Sequence, residues 1–152
     1  MQSPLPRTYL ATMQVWDAEC AARVARHRAM RQQKQFATVE CPRGLEAIAL
    51  PQRGTVLLED IGNLAANELY DPAGAGEAAA DAVLRGIEAL RAQCEELILV
   101  TNEVFSGGTA YAGDTERYLR TLAKINNAAA QRADTVVRVV CGIPVYYKGT
   151  KR

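Results

Sequence analysis

The chain has 152 residues, enough for one domain with a sizeable hydrophobic core, and 49% of the residues are hydrophobic and 23% charged. The formal net charge of +1 gives no sign of a nucleic-acid partner, no apolar run approaches the roughly 20 residues of a membrane-spanning helix, and no signal peptide is evident. We therefore expect a single cytoplasmic domain over residues 1–152, with no nucleic-acid partner and no membrane segment.

Four short apolar runs, rich in Val, Ile, Leu or Tyr, predict buried β-strands. They are Thr8–Met13, Thr55–Asp60, Leu97–Val104 and Thr135–Cys141. Helical patterns occupy residues 17–34, a short segment after Asp60, residues 77–95 and residues 114–132. Strands that alternate with helices predict an α/β fold with a mainly parallel sheet flanked by helices. Because the apolar runs are nearly continuous, we expect the sheet to be covered on both faces.

Ligands of parallel α/β sheets bind beyond the carboxyl ends of the strands. Polar residues stand at three such ends, namely Thr12, Glu59 with Asp60, and Asn102 with Glu103. A carboxylate at the end of an apolar strand, such as Glu59, is typical of the acid that organises the magnesium ion of a bound nucleotide. An acid at this position could equally cap the helix that follows, and the local sequence does not decide between the two.

The helix over residues 17–34 carries the only histidine of the chain, His27. Arg23 and Arg31 lie four residues before and after it, so the three side chains share one helix face. Guanidinium groups beside an imidazole favour its neutral, nucleophilic form and stabilise charge on a phosphoryl group. The pattern also fits a basic, solvent-exposed face without chemistry, and the helix by itself favours that simpler interpretation.

The spacing of the cysteines does not predict a metal site. Cys20, Cys41, Cys94 and Cys141 are far apart in the sequence, and one histidine is too few for a typical zinc cluster. Reduced thiols are the expected state in the cytoplasm.

Several short stretches, in a fixed order, resemble the bifunctional adenosylcobinamide kinase/adenosylcobinamide-phosphate guanylyltransferase family. The resemblance runs from Tyr9 to Gly149. It rests on Tyr9–Thr12 (YLAT), Arg23–His27 (RVARH), Arg31, Phe36, Thr38, Glu40, Val56–Glu59 (VLLE), Asn67, Val100–Val104 (VTNEV) and Asn127–Pro144. This family implies a P-loop NTPase fold of the RecA-like type and a part in cobalamin biosynthesis.

One motif of the family, a phosphate-binding loop, does not occur in this sequence. The family opens with a strand and a Gly-rich phosphate-binding loop, whereas no G-x-x-x-x-G-K-[ST] motif occurs in the chain. We therefore expect a domain that is N-terminally truncated relative to the family, without the first strand and loop. Since that loop holds the triphosphate of a nucleotide, we expect little kinase activity from this chain.

By resemblance, the activity is the assembly of the nucleotide loop of cobalamin. Adenosylcobinamide is phosphorylated, and GMP is then transferred from GTP to that phosphate through a histidine–GMP intermediate. His27 would be the catalytic nucleophile. The residues implied in nucleotide binding are Ala11, Thr12, Met13, Arg28, Ala29, Met30, Arg31, Glu40 and Glu59. GTP or ATP would be the nucleotide, and Glu59 would organise magnesium.

Two matters stay open in the sequence. The chain could instead be a non-catalytic or fragmentary paralogue that binds a nucleotide or a corrinoid. The oligomeric state is also open, a homo-oligomer included.

Overall fold

The computed structural model describes residues 6–13, 21–23, 25, 26, 29, 30, 36–50, 53–102 and 114–149. Its strands are β1 (Arg7–Ala11), β2 (Phe36–Glu40), β3 (Thr55–Glu59), β4 (Glu96–Val100), β5 (Val136–Val140) and β6 (Ile143–Lys148). Its helices are α1 (Ile61–Tyr70), α2 (Ala79–Gln93) and α3 (Asp114–Arg132), with short 3₁₀ helices at Leu45–Ala47 and Gly76–Ala78. Residues 21–23, 25, 26, 29 and 30 are helical too, inside the helix predicted over 17–34.

Four strands form a parallel sheet in the order β2-β1-β3-β4. Ala11 at the end of β1 lies opposite Glu40 of β2 and Glu59 of β3, and Glu59 lies opposite Val100 of β4. The four carboxyl ends therefore meet along one edge of the sheet. This architecture confirms the predicted α/β fold with a mainly parallel sheet flanked by helices.

The core lies between the sheet and helices α1, α2 and α3. Its fully buried side chains come from the strands and from the apolar faces of the helices: Leu10, Val56, Leu58, Leu64, Val83, Leu90, Leu122 and Ile125. Removing one such Leu, Ile or Val side chain from water contributes about 1.5–3 kcal/mol. The apolar faces of the predicted helices thus pack into the core.

The predicted strands needed two kinds of correction. Three of them end earlier than predicted, at Ala11, Glu59 and Val100, so their terminal polar residues lie in the strand exits. The strand β2 was not predicted, because FATVE is not a continuous apolar run: at this sheet edge Phe36, Thr38 and Val39 are half-buried, whereas Ala37 and Glu40 are exposed.

The strand predicted at Thr135–Cys141 is present as β5, but the prediction that it is buried was wrong. Strand β5 pairs with β6 in an antiparallel hairpin that, among the described residues, forms a second sheet of its own. Both strands carry exposed apolar side chains, with Val139 67% and Ile143 65% exposed. An apolar run predicts a strand but does not state which neighbour covers it.

Within the described ranges, the helices include none that is both long enough and apolar enough to cross a membrane.

Candidate functional site

The carboxyl edge of the parallel sheet gathers the polar residues that the sequence placed at strand ends. Glu40 and Glu59 stand on the strands at either side of β1, in register with Ala11, and both are exposed. Residues in register on parallel strands project from the same face of the sheet. The two carboxylates therefore flank the end of β1 on one side, which is a suitable position for contacts with a nucleotide.

The Glu59 carboxylate is held by a neighbouring strand. The hydroxyl of Tyr9, on β1, donates to Glu59 Oε2 at 3.0 Å. Tyr9 is only 8% exposed, and its ring packs edge-on against Phe36 with the centroids 6.5 Å apart. A phenol fixed in this way orients one carboxylate oxygen and does not occupy the other. Tyr9 was not predicted as a site residue, because the bond joins residues 50 positions apart.

The structure separates the two roles that the sequence left open for the Glu59–Asp60 pair. Asp60 is the N-cap of α1, and its Oδ1 accepts from the backbone N–H of Asn63 at 2.6 Å. Such a cap stabilises the first turn of a helix by about 1 kcal/mol. Because Asp60 satisfies the helix start, Glu59 is not needed as a cap.

Thr12 links the exits of β1 and β3. It is fully buried, and its Oγ1 accepts from Asp60 N at 2.9 Å and lies 2.9 Å from Asp60 O, to which it donates. Its backbone N–H donates to Glu59 O at 3.3 Å, and its carbonyl accepts from the Asn67 side chain at 2.8 Å. The role of Thr12 in joining the two strand exits was not predicted from the sequence.

The remaining predicted nucleotide-binding residues differ in position. Ala11 O accepts from Cys41 N at 2.8 Å, whereas the Met13 side chain is 37% exposed at the site edge. Ala29 and Met30 are helical and exposed. His27, Arg28 and Arg31 lie outside the described residues. A contact of these residues with a nucleotide stays a prediction.

A second cluster of polar residues lies at the exit of β4, at the same edge of the sheet. Thr101 Oγ1 donates to Asn126 Oδ1 of α3 at 2.7 Å, and Asn126 Nδ2 lies 3.4 Å from Asn102 O. Asn102 and Thr101 are exposed. The next residue, Glu103, lies outside the described residues. This arrangement joins the exit of β4 to α3, and Asn126 was not singled out in the sequence.

At Gly62, side chains of α3 and of the β4 exit come close to the backbone of α1. A Cβ atom on Gly62 would lie 3.0 Å from both Asn102 Nδ2 and the Tyr118 hydroxyl, and 3.3 Å from Asp60 Oδ1. Tyr118 donates to Gly62 O at 3.2 Å. Burial, assisted by the negative charge of Asp60 and by Tyr70, raises the pKa of Tyr118. The phenol is thus kept as a neutral donor at this junction.

The described residues were compared with the needs of a magnesium ion that binds together with a nucleotide. Among them, no three His, Cys, Asp or Glu side chains come together as a metal site. Mg²⁺ in nucleotide enzymes is held by one or two carboxylates together with substrate phosphates. Glu59, with one oxygen oriented by Tyr9, fits that limited role.

The chain is similar in sequence to proteins of known function. The family described as cobinamide kinase/cobinamide phosphate guanyltransferase matches residues 1–147. The bifunctional adenosylcobalamin biosynthesis protein CobU of Salmonella typhimurium is 34% identical over 155 residues, covering 92% of this chain and 84% of the relative. CobU of Escherichia coli is 32% identical with the same coverage, and CobP of Pseudomonas aeruginosa is 30% identical, covering 97% and 86%. The chain therefore belongs to the cobinamide kinase/cobinamide phosphate guanyltransferase family.

Proposed function

We propose that this chain acts in the assembly of the nucleotide loop of cobalamin, through GMP transfer from GTP to adenosylcobinamide phosphate. The preceding step in the family is the phosphorylation of adenosylcobinamide by GTP or ATP, and we expect little of that activity from the residues present here, because they include no G-x-x-x-x-G-K-[ST] loop to hold the triphosphate. The observation that carries it is the meeting of Glu40, Glu59 and the β1 exit at one edge of a sheet whose sequence matches the family over residues 1–147.

The proposed nucleophile is His27. Its imidazole nitrogen attacks the α-phosphorus of GTP, so that an N–P bond forms while the bond to the β-phosphate oxygen breaks and pyrophosphate leaves. The phosphate oxygen of adenosylcobinamide phosphate then attacks the same phosphorus, and the N–P bond breaks to release His27. Arg31, four residues from His27, supplies positive charge next to the phosphates.

The edge of the sheet supplies nucleotide binding in this proposal. Glu40, exposed at the end of β2, accepts hydrogen bonds from the base or ribose of GTP. Glu59, oriented by Tyr9, would hold magnesium together with the phosphates. Magnesium, when bound, neutralises phosphate charge. Ala11, Thr12 and Met13 would line the nucleotide pocket through main-chain atoms.

The test uses GTP labelled at the α-phosphate. We expect an acid-labile covalent adduct in the unmodified chain, none in His27→Asn, and an undiminished adduct in the control Arg26→Ala, which changes an exposed helical residue next to His27. Addition of adenosylcobinamide phosphate should discharge the label. Far-ultraviolet circular dichroism checks that each variant is folded.

Two results would contradict the proposal in different ways. An adduct that persists in His27→Asn would remove His27 from the mechanism. GTP binding without any adduct would instead favour the alternative function, a non-catalytic module that binds a nucleotide or a corrinoid. Comparison of Arg31→Ala with Arg26→Ala then tests the basic face, because equal and negligible effects on GTP affinity would assign no role to Arg31.

A further inference from the structure

The last turn of α1 holds the segments that leave β1 and β2. Asn67 Nδ2 donates to the carbonyl oxygens of Thr12 and Pro42, both at 2.8 Å. The adjacent Glu68 is 5% exposed, and its carboxylate accepts from the backbone N–H of Gly44 at 3.1 Å. One helix turn thus fixes two strand exits that are far apart in the sequence. We call the two hydrogen bonds of Asn67 the Asn67 clamp.

The chemistry of the clamp requires an amide. A side-chain NH₂ group has two hydrogens, one for each carbonyl oxygen, whereas a carboxylate of the same shape only accepts hydrogen bonds. An Asp at position 67 would therefore direct a negative charge at the carbonyl oxygens of Thr12 and Pro42. Both carbonyl groups are partly buried where they meet Asn67, so that loss of the donors leaves them without adequate compensation.

The two clamped carbonyls stand beside the residues proposed to bind the nucleotide. Thr12 directly precedes Met13, and Pro42 follows Glu40 by two residues. We propose that Asn67 is a positioning residue, which sets the spacing between the β1 and β2 exits and thereby the affinity of the site for GTP. This inference rests on the proposed function, because it assigns Asn67 to the same nucleotide site.

The chain offers a matched control at the other edge of the sheet. Gln93, the last residue of α2, donates from Nε2 to Ile48 O at 3.0 Å and to Ala89 O at 3.2 Å. It therefore also anchors a loop to a helix through an amide. Gln93→Glu makes the same chemical change as Asn67→Asp, but away from the carboxyl ends of the strands.

The experiment measures the affinity of each variant for GTP carrying a fluorescent group on the ribose, with Mg²⁺ present, together with the melting temperature. We expect both variants to lower the melting temperature by similar amounts. Only Asn67→Asp should weaken GTP binding, by roughly tenfold or more, since a site displaced by a fraction of an ångström loses aligned contacts. Should Asn67→Asp fold poorly, Asn67→Ala, which removes both donors without adding a negative charge, gives a smaller loss of the same kind.

Hydrogen exchange at the backbone amides of residues 12, 13, 41, 43 and 44 reports the clamp directly, and it should accelerate in Asn67→Asp but not in Gln93→Glu. Faster exchange with unchanged GTP affinity would overturn the positioning role, because the clamp would then serve stability alone. Equal weakening of GTP binding by both variants would also overturn it. If the unmodified chain bound no GTP, the proposed function would be refuted, and the role of Asn67 in binding with it.

Discussion

Replacement of Thr12 by Val tests whether the β1 and β3 exits are joined by a side chain. Thr12 is fully buried, and its hydroxyl accepts from Asp60 N and donates to Asp60 O, both at 2.9 Å. Val has nearly the same shape as Thr, so the substitution leaves no cavity and removes only the hydroxyl. The effect on stability therefore reports these hydrogen bonds.

The magnitude follows from the groups left without partners. A hydrogen bond of this kind contributes about 0.5–1.5 kcal/mol, and a buried donor that loses its partner costs about 1–3 kcal/mol. We expect Thr12→Val to lower the free energy of unfolding by about 2–3 kcal/mol, which corresponds to a decrease in melting temperature of about 5–10 °C in a domain of this size. The control Thr12→Ser keeps the oxygen and loses one methyl group, at a cost of about 1 kcal/mol.

Urea unfolding followed by far-ultraviolet circular dichroism measures both variants. The slope of the free energy against urea concentration should stay unchanged, so that the midpoint alone reports the difference in stability. If Thr12→Val cost no more than Thr12→Ser, the hydroxyl would contribute nothing beyond shape, and the assignment of Thr12 as the link between the two exits would be refuted.

Two further predictions concern buried groups beside this site. Glu68→Gln should lower the free energy of unfolding by about 2 kcal/mol, because the Glu68 carboxylate accepts from both Gly44 N and Ala75 N at 3.1 Å and an amide retains only one acceptor oxygen. In the same urea assay, the control Glu46→Gln, which breaks an exposed ion pair, should cost less than about 1 kcal/mol. Equal costs for the two variants would contradict this prediction. Burial, assisted by the charge of Glu68, raises the pKa of Cys41 from 9.0 to about 11. Because the unfolded thiol ionises first, the free energy of unfolding should fall between pH 9 and 11. A Cys41→Ala variant whose stability fell equally over that interval would show that other groups cause the loss.

Local pattern was enough to predict the helices and most of the sheet. The helix predicted over residues 77–95 buries Val83, Ile87 and Leu90 in the core. Helix α3 has the predicted bounds, Asp114–Arg132. These features depend on residues three or four apart, and the hydrophobic effect acts on such a pattern in nearly any fold that buries it.

The sheet edges were beyond the reach of such patterns. The segment FATVE of β2 mixes half-buried and exposed residues because β2 lies at the edge of the sheet, so no continuous apolar run marks it in the sequence. The apolar run of β5 predicted a buried strand, yet it pairs in an exposed hairpin. Burial of a strand depends on which neighbours pair with it and what covers its faces, and those neighbours are remote in the sequence.

The sequence by itself determined the residue types at the strand ends, and through them the family and the choice of Glu59 as a candidate nucleotide acid. Only the tertiary structure decided how those residues are held. Tyr9 orients Glu59, Asp60 rather than Glu59 caps α1, and Asn67 joins the exits of β1 and β2. The bonds of Tyr9 and Asn67 connect positions 25 to 55 residues apart. Such distances are closed by strand register and helix packing, which no local sequence pattern encodes.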